Sequence, residues 1–327
     1  MSESLGCGNG RHRVIVVASP RGFCAGVSYA IEIVDLVLER HGPPVYVRHE
    51  IVHNRHVVEK LRAQGAHFVK DLTEVPPGSL LIFSAHGVAP AVRAEAQARG
   101  LRVVDATCPL VTKVHLEALR YARDGFDILL VGHRGHVEVA GTLGHAPERM
   151  HLIEDVADVA TVDIADPERV AVVTQTTLSV DDTRAVIEAI RRRFPSVRTP
   201  SKDDICYATQ NRQTAVKELA RQTGFVVVIG SPTSSNANRL VEVAMHEGTR
   251  ARLIEDAADI DAAWLAGIDT VGLTAGASTP ESLVQATIAR LQLLGFEEVR
   301  ELRTAEENIT FTLPHDLRRG TSASVPP

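Results

Sequence analysis

Val103-Val104-Asp105-Ala106-Thr107-Cys108-Pro109 decides the reading of this chain. Two β-branched residues close a strand, Asp105 and Thr107 turn the chain and offer caps, and Pro109 stands where the first position of a helix tolerates proline. From Leu110 onward, Val111, Val114, Ala118 and Leu119 recur on one side of a helix. Cys108 therefore lies between a strand end and a helix start. Backbone N–H groups and the helix dipole there are expected to lower a thiol pKa and favour thiolate, the form that binds metal.

The same arrangement is written twice more. Pro20-Arg21-Gly22-Phe23-Cys24-Ala25-Gly26-Val27 follows a strand at 14–18 and precedes a helix around 31–38, and Asp203-Asp204-Ile205-Cys206-Tyr207-Ala208-Thr209 precedes a helix around 216–220. Each cysteine is followed by a strand that ends in a polar loop. These loops are Arg48-His49-Glu50-Ile51-Val52-His53-Asn54, Gly132-His133-Arg134-Gly135-His136-Val137-Glu138 and Gly230-Ser231-Pro232-Thr233-Ser234-Ser235-Asn236. Cys24 to His53 is 29 positions, Cys108 to His136 is 28 and Cys206 to Ser234 is 28. A further strand in each copy ends in Ser84-Ala85-His86-Gly87, Thr174-Gln175-Thr176-Thr177 or Thr274-Ala275-Gly276-Ala277-Ser278. Such self-similarity marks a repeated unit. The units are placed at 14–107, at 108–202, and at 203–313 with a C-terminal arm at 307–314 read as a last strand or docking segment. Residues 1–13 and 314–327 read as flexible ends.

Strands alternating with helices give an α/β fold with largely parallel sheets, and ligands in such sheets bind beyond the carboxyl ends of the strands. Three units packed about a pseudo-threefold axis would bring those edges together. The centre would then hold Cys24, Cys108 and Cys206, ringed by His53, His86, His136, Glu138, Thr176, Thr177, Ser234, Ser235, Asn236 and Ser278.

Composition narrows the function. Hydrophobic residues at 44%, charged residues at 23% and a formal charge of −6 describe an ordinary globular protein and argue against a general nucleic-acid or membrane surface. No apolar run approaches the ~20 residues of a membrane span, and the first residues lack a signal-peptide core, so a cytoplasmic location is expected. Four cysteines in 327 residues do not make a disulfide scaffold, and Cys7 lies outside the repeat.

A lone cysteine is most often a buried small hydrophobe, and Ser, Thr and Asn in loops are often only caps. Three cysteines at matched positions argue for a shared metal group. With no C-x-x-C pair, thiolates delivered singly from three units suit a cluster on the axis. Iron–sulfur clusters normally take four cysteines, so three would leave one iron open to a substrate oxygen. The hydroxyl, amide and imidazole donors around it suit phosphate oxygens, and no P-loop motif competes for that role. Glu138 is read as the one carboxylate in the polar loops and as the proton source, with burial raising its pKa toward neutrality. His49, His56, His115 and His133 are read as surface or capping residues.

These motifs, in this order from about residue 14 to 313, resemble the LytB family of hydroxymethylbutenyl diphosphate reductases, iron–sulfur enzymes that end the non-mevalonate isoprenoid pathway. The resemblance implies a trefoil of three α/β domains around a 4Fe–4S cluster, with Cys24, Cys108 and Cys206 as ligands. It assigns diphosphate binding to His53, His86, His136, Ser234, Ser235, Asn236 and Ser278, a proton relay to Glu138, and a place beside the substrate hydroxyl to Thr176. It implies reductive dehydroxylation to isopentenyl and dimethylallyl diphosphate, with electrons from a ferredoxin or flavodoxin. One departure stands out: the family usually has proline after the histidine matching His136, and Val137 here is expected to loosen the loop that aims Glu138. Two other readings of the residues stay open at this point. One is a hydro-lyase using the open iron only as a Lewis acid, and the other is a non-catalytic metal-holding protein.

Overall fold

The computed structural model of the chain describes residues 12–200 and 203–318; Cys7 and the outermost parts of the two expected flexible ends lie outside these residues. In chain order the elements are β1 (Val14–Ser19), α1 (Ala25–His41), β2 (Val45–Arg48), α2 (Arg55–Ala63), β3 (Ala66–Val69), β4 (Leu80–Phe83), α3 (Pro90–Ala98) and β5 (Arg102–Asp105). Next come α4 (Pro109–Arg123), β6 (Asp127–Val131), α5 (Val137–Leu143), β7 (Met150–Ile153), α6 (Val156–Thr161), β8 (Val170–Thr174) and α7 (Val180–Arg193). The third part holds α8 (Tyr207–Gln222), β9 (Phe225–Ile229), α9 (Ser235–His246), β10 (Ala251–Ile254), β11 (Thr270–Ala275), α10 (Glu281–Leu293) and β12 (Glu298–Arg303).

The strands form three parallel sheets in the orders β3-β2-β4-β5, β7-β6-β8 and β10-β9-β11-β1-β12. Strands such as Phe225–Ile229 and Val170–Thr174 are buried along their whole length, as parallel strands covered by helices on both faces must be. Apolar clusters lie on both faces of each sheet. Each fully buried Val, Leu or Ile in them contributes about 1.5–3 kcal/mol.

The sheets are interlocked in a ring. β5, at the edge of the first sheet, leads to Cys108. In the second sheet the corresponding edge place is taken by the single bridge Ala171↔Arg198, a few residues before Cys206. β1 leads to Cys24 but pairs with β11 and β12 of the third sheet, in the registers Val14↔Thr270 and Val14↔Glu298. Residues 14–19 of the expected 14–107 unit therefore sit in the sheet of the 203–313 unit, while α1 packs in the core of the first. Three backbone bonds repeat around the ring: Cys108 N–H donates to Ala85 O, Cys206 N–H to Thr176 O, and Cys24 N–H to Ala277 O, at 3.0, 3.0 and 3.2 Å. Each cysteine loop is thus held by a strand-end loop of the neighbouring unit.

The buried Arg212 of α8 reinforces the join between the ends of the chain. Its guanidinium donates to Gly22 O (2.7 Å) and Ala208 O (2.9 Å) and pairs with Glu307 (2.9 Å). Glu307 lies on the arm that follows β12, which is extended chain rather than the strand considered from sequence. The arm then reaches the first unit, where Phe311 meets Tyr29 edge to face. Leu317 is buried in the core there, while Arg40 donates to the carbonyls of Asp316 and Leu317. Residues 314–318, expected to be part of a flexible end, are therefore docked. Leu317 supplies an apolar anchor, and the Arg40 fork satisfies the exposed carbonyls beside it.

Candidate active site

The carboxyl ends of the three sheets converge on one cavity, and all thirteen residues placed at the centre from the sequence line it. Cys24, Cys108 and Cys206 are the N-cap residues of α1, α4 and α8. A Cβ placed on Gly26 would stand 2.6 Å from Cys108 Sγ and 3.9 Å from Cys24 Sγ, so both sulfurs lie within 4 Å of one point and only glycine leaves that space open. No disulfide links the three thiols. Among the described residues, no three His, Cys, Asp or Glu side chains close on a single ion. A three-thiol face of this kind suits a group with several metal atoms.

At Cys108 and Cys206 the helix start alone does not make the thiol acidic. Burial pushes the Cys108 thiol up to about 12 and the Cys206 thiol to about 11. The N–H groups of Leu110 and Val111 at Cys108, and the Thr209 contacts at Cys206, pull the other way without winning. The expectation of a lowered thiol pKa is corrected accordingly: in this dry cavity desolvation outweighs the helix dipole. Metal coordination, which deprotonates a thiol outright, is the force that would make thiolates here.

Three histidines stand together on the anion side. The ring centroids of His53 and His86 are 4.3 Å apart, and those of His53 and His136 are 5.5 Å apart. His136 is the N-cap of α5 and accepts the Glu138 N–H at Nδ1 (3.2 Å), which leaves Nε2 as the proton-bearing nitrogen of the neutral ring. Burial holds His136 down to about 4 and His86 well below the usual imidazole value, so both are neutral donors in the free protein. At His53, Nδ1 meets Glu50 Oε2 at 3.1 Å, while the buried Nε2 has no partner. The His53 bond holds the Glu50 carboxyl below the usual range. Sequence reading took Glu138 as the one carboxylate in the polar loops; Glu50, in the loop before α2, is a second that reaches the site through His53.

The third unit supplies hydroxyls and an amide. Ser234 caps α9 by accepting Ala237 N–H, Ser278 Oγ donates to His53 O at 2.8 Å, and Ser235 Oγ donates to Thr177 O at 3.3 Å. Asn236 Oδ1 accepts the Ala277 N–H at 2.8 Å, which fixes the amide orientation.

Glu138 is 3% exposed. Thr176 donates to it twice, from N–H to Oε1 at 2.7 Å and from Oγ1 to Oε2 at 3.0 Å. Burial nevertheless raises its pKa to about 7, with the Thr176 bonds pulling it down and the charge of Asp204 pushing it up. A carboxyl so placed carries a transferable proton near neutrality. Val137 is the first residue of α5, the position that favours proline in other helices. The Thr176 bonds hold the Glu138 carboxyl directly.

Two polar residues escaped the sequence reading. Thr209, on the inner face of α8, contacts Cys206 Sγ, and Gln175 Nε2 donates to Thr177 Oγ1 at 2.9 Å. Their signal was lost among ordinary helix and loop polars. His115, read as a surface or capping residue, is buried and stacks on His145 at 4.0 Å between ring centroids.

The model of one protein family, described as "LytB protein", matches residues 15–292. A protein of Burkholderia mallei named 4-hydroxy-3-methylbut-2-enyl diphosphate reductase 2 is 56% identical over 309 residues, covering 94% of this chain and 95% of its own. The 4-hydroxy-3-methylbut-2-enyl diphosphate reductase of Chromohalobacter salexigens is 57% identical over 314 residues, covering 95% and 99%. Among solved structures, the E-1-hydroxy-2-methyl-but-2-enyl-4-diphosphate reductase of Plasmodium falciparum superimposes with a TM-score of 0.91 at 39% identity, covering 94% of this chain and 97% of the other.

Proposed function

The chain belongs to the LytB family, and from that premise we propose that it is a 4-hydroxy-3-methylbut-2-enyl diphosphate reductase. It replaces the substrate's allylic hydroxyl with hydrogen, taking up two electrons and two protons and releasing water. The products are isopentenyl and dimethylallyl diphosphate, formed at the end of the non-mevalonate pathway. The observation that carries the reading is one cavity holding three converging cysteines, a protonatable buried carboxyl and a wall of anion-binding donors.

The residues present fit a 4Fe–4S cluster held by Cys24, Cys108 and Cys206. The Cys24 and Cys108 sulfurs approach the space left open at Gly26, and Cys206 lines the same cavity. Such a cluster supplies electrons and a Lewis-acidic iron with one position free of cysteine. Everything else is done by the chain. The His53, His86 and His136 rings, with Ser234, Ser235, Asn236 and Ser278, bind and orient the diphosphate. Glu138 delivers its proton to the departing hydroxyl, and Thr176 fixes both carboxyl oxygens. Val27, Val52, Ala85 and Val111 give the cavity an apolar wall that keeps water from the reacting carbons. Electrons arrive from a separate carrier of the ferredoxin or flavodoxin kind, in the cytoplasm. Among the described residues no helix is long and apolar enough to cross a membrane.

Anaerobic isolation followed by turnover assays tests the reading. The expected result is an iron–sulfur spectrum and reductant-dependent conversion of 4-hydroxy-3-methylbut-2-enyl diphosphate to the two products. Turnover without reductant would support a hydro-lyase instead, and zinc in place of iron would overturn the assignment.

A further inference from the structure

The polar side chains behind the cavity are arranged in a direction. Ala277 N–H can only donate, and it donates to Asn236 Oδ1 at 2.8 Å. The Asn236 amide nitrogen must then face the other way, and it lies 3.5 Å from Thr209 Oγ1. With that oxygen accepting from Asn236, the one hydroxyl proton of Thr209 is left for Cys206 Sγ, 3.0 Å away. The Thr209 N–H adds a second bond to the same sulfur at 3.3 Å. Thr209 has no exposed surface and Asn236 is buried, so water does not compete for these bonds. At Cys108 the approaching donors are backbone N–H groups of Leu110 and Val111, which substitution leaves in place. The hydroxyl at Cys206 is a donor that a single substitution can remove.

We infer that Thr209 is a positioning residue that sets the reduction potential of the group held by Cys206, and that Asn236 fixes the direction of its hydroxyl. The inference rests on the reading of Cys206 as a cluster ligand. A hydrogen bond to a ligating sulfur draws off charge and stabilises the reduced, more negative cluster more than the oxidised one. Asn236 belongs both to this relay and to the diphosphate-binding wall, so its hold on Thr209 links the two.

The test is the midpoint potential of the anaerobically isolated holoprotein, with iron and sulfide measured on the same samples. Thr209→Val keeps the shape and removes the hydroxyl. It should retain wild-type iron and shift the potential in the negative direction by about tenfold in the one-electron equilibrium, ~59 mV. Thr209→Ser should restore the wild-type potential, and Asn236→Ala should give a smaller negative shift by freeing the hydroxyl to turn. If Thr209→Val loses its iron, Thr209→Ala, which places no methyl against Sγ, carries the same expectation. An unchanged potential in the variant that keeps its iron would overturn the inference, as would failure of Thr209→Ser to restore it. Loss of iron in both Val and Ala variants also overturns it, since Thr209 would then hold the cluster rather than tune it. A wild-type protein without iron would overturn the iron–sulfur reading itself and the inference with it, whereas iron present with a potential indifferent to Thr209 overturns the inference alone.

Discussion

Glu138 and Asn236 occupy the same place in two of the three units. Each is the second residue of a helix, α5 or α9, and each lies two positions after a residue 28 beyond its cysteine. Each accepts a backbone N–H from the loop that ends its own unit's sheet, from Thr176 at 2.7 Å and from Ala277 at 2.8 Å. The repeat thus builds one oxygen-holding device twice, and the side chain decides its use. In the second unit it holds a carboxyl that burial keeps protonatable at about 7. In the third it holds an amide that cannot titrate and that turns its nitrogen toward Thr209 and Cys206. The lesson is that the fold supplies orientation and dryness, and the residue type supplies either a movable proton or a fixed dipole.

The largest expected effect removes what both devices serve. Cys24→Ser, Cys108→Ser and Cys206→Ser should each lose iron and with it essentially all turnover, while Cys7→Ser keeps both; iron and sulfide analysis after anaerobic isolation reads this. Next comes Glu138→Gln, which makes the second unit resemble the third. Iron content and diphosphate affinity should stay near wild type while turnover falls on the order of a hundredfold or more, the usual range of general acid catalysis. The pH profile should change with it. Wild-type turnover is fully present below the raised Glu138 pKa and is lost as pH rises through about 7, and this limb is absent in the variant. His53→Ala, His86→Ala and Asn236→Ala follow. Each should weaken binding of substrate and of inorganic diphosphate by roughly ten- to a hundredfold, since one charge-assisted hydrogen bond contributes about 1.5–3 kcal/mol. The smallest effect belongs to Glu50→Gln. The half-exposed carboxylate acts only through His53, so titration with inorganic diphosphate should show a loss of less than about tenfold.

The cysteine caps, the 28-residue spacing and the cavity lining were legible because each depends on local chain direction and on the repeat. Where β1 pairs was not legible. Its sequence, Val-Ile-Val-Val-Ala-Ser, is apolar up to its last residue, and a strand buried on both faces carries no mark of the sheet it joins. β12 went unread for the opposite reason: Glu-Val-Arg-Glu-Leu-Arg is a charged edge strand, and its charges hid the ladder it forms with β1. Thr209 and Arg212 look like any polar helix residue until the packing shows them fully enclosed. The Cys108 and Cys206 thiol pKa values run opposite to expectation, because the helix dipole can be read from a motif and the depth of burial cannot.

The most direct test is the protonation state of Glu138 in the folded protein. Infrared difference spectra between wild type and Glu138→Gln, recorded across pH, isolate the carboxyl band of this one residue. A protonated carboxyl band is expected at pH 6, disappearing with a midpoint near 7. A carboxylate already ionised at pH 5, titrating like a solvated glutamate, would contradict it.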